Sequence, residues 1–66
     1  MPTKLKLFRV SRGLTQEQIA KMIGYNRMSY ASIENGKREP TLKFCSSISE
    51  AFSIPLTEVM ALFGGG

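Results

Sequence analysis

Residues Leu14 to Pro40 read LTQEQIAKMIGYNRMSYASIENGKREP: two short amphipathic helical patterns, broken by a glycine and followed by a basic turn. Thr15 offers a side-chain oxygen to a helix start, and Gln18, three residues on, completes a Ser/Thr-x-x-Glu/Gln capping box. The helix that follows is expected to run to about Ile23, with Ile19 and Ile23 turned to the core. Ala20 falls where two helices of such a pair approach most closely, so a larger side chain there would force them apart. Gly24 ends the helix, because a positive φ is easiest for glycine. Asn26 is a good N-cap for a second helix over about 27–34, with Tyr30 and Ile33 inward. Its outward stripe is then Arg27, Met28, Ala31 and Ser32.

Working outward, the stretch from Thr3 to Arg12 carries Leu5, Phe8 and Arg12 on one helical face, and Gly13 follows as a stop. Beyond the turn Asn35-Gly36-Lys37-Arg38-Glu39-Pro40, Thr41 can cap a fourth helix whose inner side is expected to carry Leu42, Cys45, Ile48, Ser49 and Phe52. Cys45 reads as a small buried hydrophobe. Pro55 fits the first position of a fifth helix with Leu56, Val59 and Met60 inward. Residues 1–63 are therefore expected to form one domain, and Gly64, Gly65 and Gly66 a flexible tail. No internal repeat interrupts this order.

Sixty-six residues are expected to make a single small domain, with no separate effector domain, whose core buries about 60% of the surface the unfolded chain would expose. One cysteine excludes an internal disulfide, and the absence of histidine removes the usual zinc partners, so no metal or cofactor is expected. There is no Asp, the five glutamates are scattered, and no glycine-rich phosphate loop is present, which argues against an enzyme. Neither a signal peptide nor a membrane-spanning stretch is apparent, and a reducing cytoplasm is the expected location. The net charge of +4 conceals an asymmetry: all nine Lys and Arg residues lie between Lys4 and Lys43, and Glu50 and Glu58 are the only charges after them. Such a basic pole suits a phosphate backbone, although solubility alone would also account for it.

Two helices separated by this turn have the spacing of a helix-turn-helix, which sets its second helix at an angle suited to the DNA major groove. The stretch LTQEQIA, Gly24 and the segment Ile33-Glu34-Asn35-Gly36-Lys37 resemble the phage-repressor-like (Xre/Cro-type) helix-turn-helix family, and flanking segments extend the resemblance to about residues 3–61. The resemblance implies an all-α, compact five-helix lambda-repressor-like domain, with the motif formed by helices 2 and 3. Arg27 matches a base-contacting position of the family and can give a bidentate hydrogen bond to guanine. Met28 departs from the polar residues often found beside it and can pack against a thymine methyl, while Ala31 and Ser32 lie further along the same face. By the same resemblance, Gln16 is expected to contact phosphate, as are Asn35, Lys37 and Arg38 beside the adjoining backbone. Asn26 can bond a phosphate besides capping its helix, though capping alone explains it.

Arg9 and Glu34 match a buried ion pair that the family places between helix 1 and the end of the groove-facing helix. Tyr30 is inward, and Tyr25 either covers the turn or meets a phosphate. Leu7, Val10 and Phe44 are apolar where the family is usually polar. With Met60, Leu62 and Phe63 they are expected to form a surface for a twin subunit, since the family commonly dimerises through its C-terminal helices; the alternative is that they merely finish the small core. The expectation is a sequence-specific DNA-binding transcriptional regulator: a repressor that binds double-stranded DNA at an inverted-repeat operator as a homodimer, with no membrane role. The alternative is a protein-interaction module, or an antitoxin-like partner-binding protein, that retains the fold.

Overall fold

Among the described residues, 4–63 of the computed structural model, the chain forms α1 (Lys4–Ser11), α2 (Gln16–Ile23), α3 (Arg27–Glu34), α4 (Leu42–Phe52) and α5 (Leu56–Ala61). This is the five-helix, all-α architecture that the sequence predicts. Thr3, expected in the first helix, and the glycine tail at 64–66 lie outside the described residues.

Local chemistry sets the boundaries. Thr15 Oγ1 accepts from the Gln18 backbone N–H at 3.1 Å while Gln18 Oε1 accepts from the Thr15 N–H at 2.8 Å, so the expected capping box is closed on both sides. Gly24 stops α2 in the left-handed region, φ 80°, where a side chain would be strained. Asn26 and Thr41 cap α3 and α4 by accepting from the backbone N–H three residues on. Pro55 is the residue before α5 rather than its first residue, one position earlier than its fixed φ suggested. Ser53 ends α4 at φ 54°, a left-handed conformation without glycine. Ser49, expected inward, is half-buried, and its hydroxyl donates to the Ile54 carbonyl at 2.6 Å to hold the link into α5.

Ile19, Ala20 and Ile23 from α2, Tyr30 and Ile33 from α3, Cys45 and Ile48 from α4, Leu5 and Val59 all meet in one buried core. Two side chains depart from the expected phase of α4. Leu42 is 67% exposed, not inward, and Phe44, expected on an outer surface, is fully buried among the rings of Tyr25, Tyr30 and Phe63. At about 100° per residue, the stripe Cys45, Ile48 and Phe52 has its centre about 70° from Phe44 and about 90° from Leu42, so both lie near its edge. Phe44 is the one buried because the rings of Tyr25, Tyr30 and Phe63 meet it from other elements.

Met60 is likewise 52% exposed, not inward; in the short α5 the core positions are taken by Val59, fully buried, and half-buried Leu56. Arg12 follows α1 and lays its guanidinium over the rings of Phe8 (4.4 Å) and Phe52 (5.0 Å), covering their outer edges with charge still in water. Burial raises the thiol pKa of Cys45, which keeps it protonated and unreactive.

Candidate nucleic-acid interface

The orientation of α3 is set by one buried carboxylate. Glu34, 2% exposed in its side chain, receives Arg9 Nε on Oε2 at 2.9 Å and Arg9 Nη2 on Oε1 at 3.2 Å. The Tyr30 hydroxyl donates to Oε2 at 2.7 Å and Gln16 Nε2 donates to Oε1 at 3.0 Å. Arg9 also donates from Nη1 to the Leu14 carbonyl at 2.7 Å. A single carboxylate at the end of α3 thus joins α1 and the start of α2, with its lone pairs occupied by charge-assisted or strong donors.

Burial alone would raise the Glu34 pKa, but hydrogen bonds from Arg9, Tyr30 and Gln16 outweigh it and hold the carboxyl below its ordinary range. Burial and the bond to Glu34 push the Tyr30 hydroxyl far up, so it stays a donor. Tyr30 is core, and Tyr25, half-buried with its ring edge-on to Phe44 at 5.1 Å, covers the turn between α2 and α3.

With its inner face held this way, α3 turns Arg27 and Met28 outward. Both are exposed, Met28 by 76%, while Ala31 and Ser32 are half-buried further along. Shallow recesses flank this face. One is lined by residues of the α1–α2 turn and the start of α2, including Thr15, Gln16 and Glu17, together with Arg27. The other is lined by Asn26, Met28, Ser29, Ser32 and Arg38.

The second recess exists because the basic turn folds back on α3: the backbone N–H groups of Lys37 and Arg38 donate to the Ser32 carbonyl at 2.9 and 3.2 Å. Asn35 closes the end of α3 through its N–H to the Ala31 carbonyl at 2.9 Å, and Gly36 supplies a positive φ of 79° for the reversal. Asn35, Lys37 and Arg38 are all exposed. Cations and amide groups therefore border an α-helical face about 12 Å long, given 1.5 Å rise per residue, which can lie in a major groove of similar width.

Two of these side chains also have internal duties. Asn26 Oδ1 is committed to the Ser29 N–H at 2.7 Å, and Gln16 holds Glu34 with one amide hydrogen. Met60, Leu62 and Phe63 lie on and after α5, and Leu62 and Phe63 line a recess with Gly36 and Arg38 of the basic turn. Leu62 and Phe63 are half-buried against the core, and Phe63 meets the Phe44 ring at 6.0 Å. Met60 and Phe63 line an apolar recess with Pro40, Thr41, Leu42 and Cys45. Leu42, expected inward, adds to this surface; it lies at the edge of the apolar stripe of α4, where periodicity gives no decisive signal. Leu7 and Val10, 57% and 55% exposed, lie on α1, and Val10 lines the recess that holds Gln16 and Arg27.

No helix among the described residues is long and apolar enough to cross a membrane. A family model described as helix-turn-helix matches residues 5–59. An uncharacterised HTH-type transcriptional regulator of Methanocaldococcus jannaschii is 37% identical over 59 residues, covering 89% of each chain. The uncharacterised HTH-type transcriptional regulator YgzD of Bacillus subtilis is 34% identical over 62 residues, 94% of each chain. The cryptic phage CTXphi transcriptional repressor RstR of Vibrio cholerae is 29% identical over 59 residues, 89% of this chain and 53% of that protein. No solved structure matches the chain. A matched motif spanning most of the chain, on a five-helix body with an open α3 face bordered by cations, places it in a family: the chain belongs to the Xre-type helix-turn-helix DNA-binding transcription regulators.

Proposed function

We propose that this chain is a repressor that binds an inverted-repeat operator as a homodimer, inserting α3 of each subunit into the major groove. The observation that carries the reading is the exposed Arg27–Met28 step at the start of α3, bordered on one side by the α2 N-terminus and on the other by the basic turn. Arg27 reads guanine through a bidentate hydrogen bond, and Met28, Ala31 and Ser32 meet neighbouring base edges. Gln16 and Asn26 give phosphate the amide hydrogens that their internal bonds leave over, and Asn35, Lys37 and Arg38 meet the opposite strand.

The twin subunit docks on Met60 and the outer parts of Leu62 and Phe63, where exposed Leu42 enlarges the apolar surface. The described body measures 26 × 26 × 22 Å, so two copies side by side can set their α3 helices about 34 Å apart, one turn of duplex. The same two-fold symmetry makes the operator an inverted repeat.

Two substitutions separate base reading from backbone binding. Arg27→Ala is expected to cost about 1 to 3 kcal/mol on the operator and to relax preference at one base position. Lys37→Ala is expected to weaken binding to all duplexes alike and to shallow the slope of log affinity on log salt by about 0.9 per subunit. Binding titrations at several salt concentrations read both. Equal loss on every duplex for Arg27→Ala would reassign it to the backbone, and an unchanged salt slope would remove Lys37 from the interface.

A further inference from the structure

We infer that the α3 surface around Met28 reads the C5-methyl group of a pyrimidine, so that thymine and 5-methylcytosine are both accepted there and unmethylated cytosine binds less well. The inference rests on the DNA-binding reading above and adds to it a chemical mark to which binding responds.

Met28 is, at 76%, the most exposed of the large apolar side chains among the described residues, and it occupies the second position of α3, the end that base edges meet. Its thioether is at most a weak acceptor and offers no donor. Set against the nitrogen or oxygen edge of a base, it would strip water from a polar group without replacing the hydrogen bond, an unfavourable exchange. The apolar group that the major groove offers is the C5-methyl of thymine, and 5-methylcytosine carries the same group at the same place. An unbranched, flexible methionine closes over such a small target readily.

The surrounding recess has the matching chemistry. Met28 and Arg38 line it together with Asn26, Ser29 and Ser32. The C5 edge of a pyrimidine lies towards the phosphate on the 5′ side of its own nucleotide, so an apolar wall and a cation in one recess suit the methyl and the phosphate of a single 5-methylpyrimidine nucleotide. Thymine and 5-methylcytosine differ at position 4, an acceptor oxygen in one and a donor amino group in the other. A serine hydroxyl both donates and accepts, so Ser32 can satisfy either. Methylation of cytosine in the site is therefore a modification that strengthens binding.

The test uses the full chain and synthetic duplexes of its selected operator in two matched comparisons at each pyrimidine: thymine against uracil opposite adenine, and 5-methylcytosine against cytosine opposite guanine. Each pair differs by one methyl group alone. At one position per half-site, the methylated member is expected to bind about fourfold more tightly in both comparisons, the weight of one buried methyl. Met28→Ala is expected to erase both differences, whatever its own affinity for the unmethylated duplexes, and Met28→Leu to retain them. Operator binding with no methyl effect at any position, or a methyl effect that persists in Met28→Ala, overturns this inference and leaves the DNA-binding reading standing. Absence of binding to every duplex by the folded protein overturns both.

Discussion

Arg9→Ala is expected to lose about 3 to 5 kcal/mol of stability at neutral pH, the loss typical of a buried ion pair left with one charge. The side chains of Arg9 and Glu34 are 12% and 2% exposed, so little water is available to replace the guanidinium. Removing it also frees the Leu14 carbonyl that Arg9 holds at 2.7 Å, and loosens the turn ahead of α2. A domain of this size has about 3 to 10 kcal/mol in total at typical per-residue values, so the variant should be largely or partly unfolded at 37 °C.

The loss should also depend on pH, in a direction the network dictates. In the native protein the Glu34 pKa is depressed below its ordinary value of 4.5, so its contribution is present above about pH 4.5 and is lost as pH falls through the lower folded value. Without Arg9, burial dominates and raises the Glu34 pKa, and the variant is then relatively more stable at low pH than at neutral pH. The gap therefore narrows first as pH falls through the raised Glu34 pKa of the variant towards 4.5, and narrows further below about pH 4.5 as the native contribution is lost. Urea denaturation of each across pH 3 to 8 measures it. A gap that is small at pH 7, or constant across the range, would mean that the pair does not hold α1 to the helix-turn-helix.

Phe44→Ala is the second large effect, expected to cost about 3 to 5 kcal/mol. Phe44 has no exposed surface, and its ring lies 5.1 Å from that of Tyr25, 6.1 Å from Tyr30 and 6.0 Å from Phe63. Truncation removes the edge-on contact that holds Tyr25 over the turn and the support for the end of α5, and leaves a cavity that rigid neighbours fill only in part. Leu42→Ala, two residues earlier and 67% exposed, should cost less than about 1 kcal/mol to the monomer. The contrast between the two variants, read by thermal or denaturant unfolding, checks the phase of α4. Equal losses at the two positions would place the core boundary elsewhere.

The same pair of residues marks where the sequence was legible and where it was not. Caps and stops were readable because each is a local event: Thr15 with Gln18, Gly24, Asn26 and Thr41 act within four residues of themselves. The inner faces of α2 and α3 were readable because Ile19, Ile23, Tyr30 and Ile33 recur at helical spacing with polar residues between them. In α4 the apolar residues spread over about half the helix circumference and α5 has fewer than two turns, so periodicity alone left Leu42, Phe44 and Met60 on a boundary. Which of them is buried depends on the rings of Tyr25, Tyr30 and Phe63 brought in from other elements.

The open face of α3 was legible from the same periodicity. What the sequence could not reveal is how its flanks are built. The return of Lys37 and Arg38 onto the Ser32 carbonyl, which puts Arg38 beside Met28, depends on a backbone reversal after α3. The internal bonds of Gln16 and Asn26 depend on where Glu34 and the Ser29 N–H sit in space.

Sequence-specific reading by α3 is put to the test by selecting bound fragments from a random duplex pool with the purified protein at about 150 mM salt, where non-specific affinity is already weakened. Enrichment of an inverted repeat with half-sites one helical turn apart, and loss of one base preference when the selection is repeated with Arg27→Ala, is the predicted result. A single half-site would retain the DNA reading and remove the symmetric dimer. No enrichment at all by the folded protein would contradict the assignment of α3 as a reader of DNA sequence.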